Sequence, residues 1–240
     1  MDFKLHDVEW TDEKVARFWD SFSKMPQLQY FAQQVGRKVI KISSKYIDLK
    51  TNILDYGSGK GFLIDYLLQY GAKNVSGCDF SEDSVKYVSN KFANNKNFKT
   101  CIQIKSLPSM LPSEHYECVF FMETIEHLLE THYEPTLKEI NRLVKKGGYV
   151  VITTRNEENL DNLKVICPDC GGMFHRVQHV RSFTRESITE TMSKFGFKKE
   201  LCDSKDLGRR EMIRTGLEFY RRVKKMQHLN PNLIYIGKKI

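Results

Sequence analysis

The chain of 240 residues lacks the features of membrane and exported proteins. No run approaches the ~20 consecutive apolar residues that span a bilayer as a helix. The opening MDFKLHDVEW has no hydrophobic signal core. We also find no internal repeat and no low-complexity segment. With 40% hydrophobic residues, these absences predict one main cytoplasmic domain with appended segments.

Cysteines are few, and most of them are isolated. Four of the six stand singly in apolar runs, as buried free thiols do: Cys78, Cys101, Cys118 and Cys202. Only Cys167 and Cys170 form a spaced pair. This usage excludes a disulfide scaffold and favours a reduced cytoplasm.

Positive charge is in excess, with a formal net charge of +8. This balance favours acidic partners such as nucleic acid, phosphorylated metabolites or anionic lipid surfaces. It is equally compatible with a solvated surface of mixed charge. Much of the excess comes from residues 207–225, where the pattern is compatible with a basic helix.

The apolar pattern divides the chain into two regions. Helical spacing over residues 11–24 and 27–48 predicts an N-terminal helical cap, residues 1–49. Over residues 50–240, strands alternate with helices, which predicts a doubly wound, Rossmann-like α/β sheet. The expected strands are 52–55, 75–79, 100–104, 116–122, 149–153, 197–202 and 233–238, and the expected helices are 60–70, one from 81, 134–144 and one from 184. Residues 155–183 read as an irregular insertion.

A glycine-rich turn joins the first predicted strand to its helix. Its spacing, Gly57-x-Gly59-x-Gly61, differs from the G-x-G-x-x-G of pyrophosphate sites. Asp55 stands two positions before the first glycine, where a carboxylate suits a cofactor that carries sulfonium and ammonium groups. Asp79 ends the second strand, where it can accept hydrogen bonds from ribose hydroxyls in nicotinamide and S-adenosylmethionine sites alike. The turn therefore predicts a nucleoside-containing cofactor.

Four segments carry a family resemblance. LDYGSGKGFL, GCDFS, YECVFFMETIEHL and LVKKGGYVVITT resemble, in order and spacing, the motifs of class I S-adenosylmethionine-dependent methyltransferases over about residues 50–200. The resemblance implies seven strands with an antiparallel last strand. It also implies that Asp79 holds the ribose of the cofactor. The methionine end would be held by four residues: Asp55, Gly57, Gly59 and Gly61. Further cofactor-binding candidates within these motifs are Ser58, Phe80 and Met122.

A second constellation follows the fourth strand. If a helical turn begins there, Glu123, Glu126 and His127 share one face. They could bind a divalent cation, or His127 could act as a general base, or the segment could simply begin a helix. The motif resembles ubiquinone-biosynthesis O-methyltransferases and small-RNA 3′-terminal 2′-O-methyltransferases. The latter resemblance implies a later histidine ligand, matched here by His179.

A third constellation competes for the same histidine. Cys167, Cys170, His175 and His179 have C-x2-C-x4-H-x3-H spacing, which resembles a zinc knuckle and provides four tetrahedral ligands. His179 cannot easily serve this zinc ion and the Glu123 site together, and a loop with incidental thiols is the alternative. The surrounding block is similar to bacterial methyltransferases associated with cell-surface polysaccharide or lipid biosynthesis.

These patterns together predict an S-adenosylmethionine-dependent methyltransferase that acts on oxygen. We expect the acceptor to be a hydroxyl of a saccharide or other small metabolite, with metal-dependent RNA 2′-O-methylation as the alternative. The glycine spacing and Asp55 disfavour a nicotinamide-dependent oxidoreductase, and the intact cofactor loop disfavours a non-catalytic zinc-bearing nucleic-acid-binding module. The N-terminal helices and the insertion at 155–183 are expected to cover the acceptor pocket.

Overall fold

The chain forms six helices and ten strands within the part that the computed structural model describes, residues 3–25, 30–208 and 231–240. The α-helices are α1 (Asp12–Ser23), α2 (Phe31–Ser43), α3 (Phe62–Gln69), α4 (Glu82–Phe92), α5 (Glu130–Leu143) and α6 (Arg185–Lys194). The strands are β1 (His6–Asp7), β2 (Asn52–Tyr56), β3 (Asn74–Asp79), β4 (Phe98–Gln103), β5 (Tyr116–Met122), β6 (Val144–Arg155), β7 (Lys164–Ile166), β8 (Gly172–His175), β9 (Phe197–Lys205) and β10 (Asn232–Lys239). Short 3₁₀ turns cover Ile125–His127 and Leu160–Leu163.

Seven strands build the main sheet, in the order β4-β3-β2-β5-β6-β10-β9. Pairing is parallel from β4 to β6, whereas β10 runs antiparallel to both β6 and β9. The predicted doubly wound sheet with an antiparallel last strand is confirmed. This topology brings the carboxyl ends of β2, β3 and β5 to one edge, where such sheets bind ligands.

The apolar run of β5 is buried because helices cover both faces of the sheet. Successive side chains of a strand point to opposite faces. Phe120 packs in one core cluster with residues of α2, α3 and α4, and Phe121 packs in the other with residues of α5 and α6. Both side chains are fully buried. This burial suits a strand of continuous apolar residues in a parallel sheet.

Two helix starts, at the positions expected from the sequence, are capped by hydroxyl side chains. The Ser81 hydroxyl accepts a hydrogen bond from the Ser84 amide at the start of α4. Thr184 begins α6 with a reciprocal capping box, in which Thr184 and Ser187 each bind the other's backbone amide. Both caps satisfy amides that would otherwise lack partners.

Several boundaries differ from the prediction. Helix α5 begins at Glu130 and ends at Leu143, because Val144 is already extended and pairs with Tyr116 in the sheet. Gly147, shortly after that helix, takes a φ of +77° within β6. Helix α2 ends at Ser43, before the expected residue 48. Residues 27–29 of the second predicted helix, and the predicted basic helix from 209 onward, lie outside the described residues.

The insertion at 155–183 contains regular structure that its composition did not reveal. Strands β7 and β8 pair antiparallel, and β1 adds parallel to β8, which gives a three-stranded sheet in the order β1-β8-β7. Trp10, between β1 and α1, packs edge-on against Phe174 of β8 with ring centroids 6.0 Å apart. The N-terminal segment is therefore attached to the insertion. The division into residues 1–49 and 50–240 stays a prediction.

Among the described helices, none is both long enough and apolar enough to cross a membrane.

Candidate active site

The loop between β2 and α3 needs glycine at its first and third positions. Gly57 and Gly59 have φ values of +82° and +49°, which side chains of L-residues rarely adopt. A Cβ atom on Gly57 would lie 2.7 Å from the Thr124 hydroxyl, and one on Gly59 would lie 3.2 Å from the Tyr30 ring. The turn is held by the neighbouring strand β3, because the Gly57 and Ser58 amides both donate to the Cys78 carbonyl. The backbone is thus shaped for close approach to a ligand.

Two buried carboxylates flank this loop. The Asp79 carboxylate accepts hydrogen bonds from the Gly59 amide at 2.8 Å and from the Ser81 amide at 2.9 Å. Burial, followed by the charge of Asp79, raises the pKa of Asp55 to about 8. Burial also raises the pKa of Asp79. A cationic group bound between them would favour their ionised forms, so the site fits the ammonium and sulfonium groups of S-adenosylmethionine.

The other three cofactor candidates differ in exposure. Ser58 is buried, with its hydroxyl 3.6 Å from the Cys101 sulfur. Met122 is buried at the end of β5. Phe80, beside Asp79, is 45% exposed.

N-terminal residues that the sequence did not single out cover the loop. Burial and the charge of Asp79 raise the pKa of the Tyr30 phenol to about 12, and the Tyr30 ring lies against Gly59. The Ser81 hydroxyl donates to the Asp20 carboxylate of α1 at 3.2 Å. Tyr30 and α1 therefore cover the glycine loop on the side of Gly59 and Ser81.

Glu123, Glu126 and His127 lie at the carboxyl end of β5, as predicted. Glu123 has a φ of +46°, an unusual conformation for a residue with a side chain. Ligand atoms of Glu126, His127 and His179 all lie within 4.8 Å of one another. One oxygen of Glu123 and both oxygens of Glu126 are buried without a hydrogen-bond partner. Such orphaned acceptors are costly unless a cation or proton satisfies them.

These two carboxyls are also electrostatically unfavourable as anions. Burial raises the pKa of Glu123 to about 7. Burial and then the charge of Glu123 raise the pKa of Glu126 well above its ordinary value. Burial and the neighbouring His179 lower the pKa of His127 to about 3. The histidine is therefore neutral near pH 7, the state in which it binds metal.

A segment fifty residues later completes this cluster. The Val180 amide donates to the Glu126 carbonyl at 2.9 Å. Gln178 donates to the His127 carbonyl at 3.0 Å and accepts from the Trp19 indole at 2.9 Å. His127 Nδ1 lies 3.3 Å from the Gln178 carbonyl, and a carbonyl only accepts, so Nδ1 carries the hydrogen and Nε2 the lone pair. These contacts hold both imidazoles against Glu126.

Glu158 orients His179. Its carboxylate accepts a short hydrogen bond from His179 Nδ1, while His179 Nε2 lies 3.9 Å from Glu126 Oε1. A carboxylate on one imidazole nitrogen fixes the other as the metal-binding nitrogen. His175 is placed differently, because its Nδ1 accepts from the His179 amide at 3.1 Å and its Nε2 faces Glu158 at 3.7 Å.

The predicted zinc-knuckle residues are not brought together as one set. Among the described residues, the two converging groups of metal-binding side chains are Glu126, His127 and His179, and Glu158, His175 and His179. Neither contains Cys167 or Cys170. The extended strand β8 separates residues 172 and 175 by about 10 Å. The histidines therefore join the β5 cluster, and the cysteines stay at the far end of the hairpin.

A family match covers most of the chain. A family model described as a methyltransferase domain matches residues 27–201. The chain belongs to this family. It carries a domain of the class I S-adenosylmethionine-dependent methyltransferases.

Solved structures show the fold that this methyltransferase shares. A methyltransferase from Aquifex aeolicus superposes with a TM-score of 0.59 at 16% identity, covering 97% of this chain and 100% of that one. Another from Archaeoglobus fulgidus gives a TM-score of 0.61 at 18% identity, covering 86% and 94%. Both are described as dependent on S-adenosylmethionine.

A curated relative is the mitochondrial ubiquinone biosynthesis O-methyltransferase of Dictyostelium discoideum. It is 25% identical over 181 residues, which cover 67% of this methyltransferase and 56% of the relative. The chain thus spans about half of that relative's length.

The residues that sequence reasoning missed are Tyr30, Glu158 and Gln178. The sequence contains a weak indication that Glu158 belongs to the site, since it stands in an acidic pair within a segment that also supplies histidines. It contains no such indication for Tyr30 and Gln178, because their roles come from contacts with distant parts of the chain.

Proposed function

We propose that this methyltransferase is a metal-dependent O-methyltransferase whose acceptor is a hydroxyl beside a second hydroxyl, on a saccharide or other small metabolite. The observation that carries the proposal is the buried cluster of Glu126, His127 and His179 beside Glu123, in which carboxylate oxygens lack partners. The Glu126 carboxylate and the two imidazoles form a suitable ligand set for a divalent cation.

The cofactor pocket is assigned to the loop residues and their neighbours. S-adenosylmethionine supplies the electrophilic methyl group when it is bound. In the proposal, Asp55 neutralises the positive methionine end, and the backbone from Gly57 to Gly61 lies along it. Asp79 accepts from the ribose hydroxyls, and Phe80 and Met122 complete the walls with Ser58.

The β5 cluster is assigned to the acceptor. A bound divalent cation would lower the pKa of an acceptor hydroxyl. In this proposal His127 and His179 would bind the cation through Nε2, and Glu126 would provide negative charge. Glu123, whose pKa is raised by burial, would take up the proton that the hydroxyl loses.

A role for His127 as the general base is less well supported. Its Nδ1 hydrogen bonds to the Gln178 carbonyl, a neutral group that stabilises an imidazolium less than a carboxylate at that nitrogen would. Burial also depresses the pKa of His127 to about 3. An imidazole this weakly basic binds a metal better than it accepts a proton.

Aromatic side chains near the cluster support a cyclic acceptor. Trp19 lies edge-on to His127 with ring centroids 4.8 Å apart, and Phe22 packs between Trp19 and Tyr30. Aromatic walls with a few polar groups are typical of small-molecule sites. The curated relative, by its name, is itself an O-methyltransferase.

RNA is the second candidate acceptor. The ribose at an RNA 3′ end also presents two adjacent hydroxyls. The net charge of +8 and the resemblance of Glu123, Glu126, His127 and His179 to the small-RNA enzymes favour it. The same cation chemistry would serve both acceptors, so only a substrate assay separates them.

The test is transfer of a labelled methyl group to extracted metabolites, saccharides and short RNA. We expect labelling that is lost with a chelator and restored by a divalent cation. Glu126→Gln should abolish both labelling and cation binding measured by calorimetry, whereas Glu134→Gln, a change at an exposed carboxylate on α5, should affect neither. Labelling destroyed by RNase would select RNA. Full labelling in the presence of chelator would refute the metal-dependent mechanism.

A further inference from the structure

The cysteine loop between β7 and β8 is closed by backbone hydrogen bonds. The Gly171 amide donates to the Cys167 carbonyl at 2.9 Å, and the Cys167 amide donates to the Gly172 carbonyl at 2.8 Å. Gly171 takes a φ of +76°, which only glycine adopts without strain. The turn therefore presents Cys167 and Cys170 on the same side.

The two thiols lie close together at this turn. The Cys167 side chain contacts the Cys170 and Asp169 amides and the Cys170 thiol. Two cysteines separated by two residues commonly supply two of the four ligands of a zinc site.

An imidazole from the N-terminal strand faces this pair. His6 pairs with Gly172 between β1 and β8. Its Nδ1 lies 2.8 Å from the Lys4 carbonyl, so Nδ1 carries the hydrogen and Nε2 offers its lone pair. The backbone thereby fixes the tautomer that a metal ligand requires.

The Cys170 thiol and the His6 imidazole both lie beside Gly172. A Cβ atom on Gly172 would lie 3.4 Å from the Cys170 sulfur and 3.5 Å from His6 Nε2, both ordinary contact distances. The thiol and the imidazole are therefore neighbours across this glycine. Among the described residues, His6, Cys167 and Cys170 do not form one of the groups whose ligand atoms lie within 4.8 Å of one another. Zinc binding would therefore require the exposed His6 side chain to turn toward the thiols.

We propose that Cys167, Cys170 and His6 bind one zinc ion, with solvent in the fourth position. The site replaces the knuckle that sequence spacing predicted, because His175 and His179 face Glu158 and Glu126 instead. Its ligands come from two segments about 160 residues apart in the chain. Zinc would therefore fasten the N-terminal strand to the insertion.

The proposed zinc site would also hold helix α1 in place beside the active site. From His6 the chain continues through Trp10, which packs on Phe174, into α1. That helix carries Trp19 against His127 and Asp20 against Ser81. Zinc would hold α1 over the cofactor and acceptor positions without touching either ligand.

The experiment measures metal binding in the full-length chain. Protein purified under reducing conditions without chelator is analysed for zinc, and the metal is then exchanged for cobalt. Cobalt bound by thiolates gives a near-ultraviolet charge-transfer band, which cobalt at the glutamate cluster does not give. We expect one zinc ion per chain and this band in the wild-type protein, and the band should persist in Glu126→Gln.

Variants then identify the ligands. Cys170→Ser should lose the charge-transfer band, and His6→Ala should weaken zinc binding at least tenfold. The matched control His132→Ala removes another exposed histidine, one that contacts Asp12 of α1, and should leave zinc affinity unchanged. Near-ultraviolet circular dichroism checks that each variant is folded. Wild-type zinc affinity in His6→Ala, no charge-transfer band in the wild type, or a Cys167–Cys170 disulfide under reducing conditions would overturn the proposal.

Discussion

Cofactor binding should depend steeply on pH through Asp55. In the free protein, burial and the charge of Asp79 raise the pKa of Asp55 to about 8, so the protonated form dominates below that pH. A ligand ammonium requires the ionised form, so binding must release a proton. Affinity should therefore rise with pH, with a slope approaching tenfold per pH unit.

The size of the effect follows from the ionised fraction. With a pKa of about 8, roughly a thousandth of Asp55 is ionised at pH 5 and roughly a tenth at pH 7. The affinity should then increase about 90-fold between these pH values, or about 2.7 kcal/mol, if the complex keeps Asp55 ionised throughout. The ligand ammonium remains charged over this interval.

Calorimetric titration with S-adenosylhomocysteine measures this dependence without turnover. Repeating it in buffers of different ionisation enthalpy counts the protons released, and we expect one below pH 7. Asp55→Asn should bind weakly with a nearly flat pH profile, and Asp79→Asn tests whether the second carboxyl contributes. A wild-type slope preserved in Asp55→Asn would refute the assignment of the proton to Asp55.

Three further changes test other parts of the structure. Gly57→Ala should lower the free energy of unfolding by roughly 1–2 kcal/mol through backbone strain, and it should also abolish cofactor binding through its clash with Thr124. The control Gly71→Ala has a φ of +85° at that position and open space around it. In urea unfolding it should show only the loss caused by backbone strain. Glu158→Gln should weaken cation binding about 10- to 100-fold by loosening His179, and unchanged calorimetric affinity would contradict its orienting role. Leu137→Ala, at a fully buried core position, should lower the free energy of unfolding by about 2–5 kcal/mol, and a loss far below this range would mean that the site is less tightly packed than described.

Sequence pattern predicted the main sheet well because its signals are local. A buried parallel strand such as β5 appears as a continuous apolar run, and the glycine turn after β2 has a recognisable spacing. The position of the carboxyl ends then followed from topology, which placed Asp55, Asp79 and Glu123 at one edge. The link between His179 and Glu126 came from family resemblance and agrees with the distances between their side chains.

What the sequence did not reveal depends on contacts between distant segments. Strand β1 has two residues, too few to show a periodic pattern, and its position exists only through pairing with β8. Tyr30 covers Gly59 because of how the N-terminal segment folds back. The knuckle spacing was misleading because it took no account of β8, an extended strand that separates the cysteines from His175.

The strand order has a consequence for biosynthesis. In the sheet β10 lies between β6 and β9, although it is synthesised after both. While the chain is being made on the ribosome, β9 has no described neighbour to pair with, and β6 keeps one edge open until β10 emerges. Unpaired strand edges attract other chains. This methyltransferase should therefore be most vulnerable to aggregation, and most dependent on chaperones, in the interval between completion of α6 and insertion of β10.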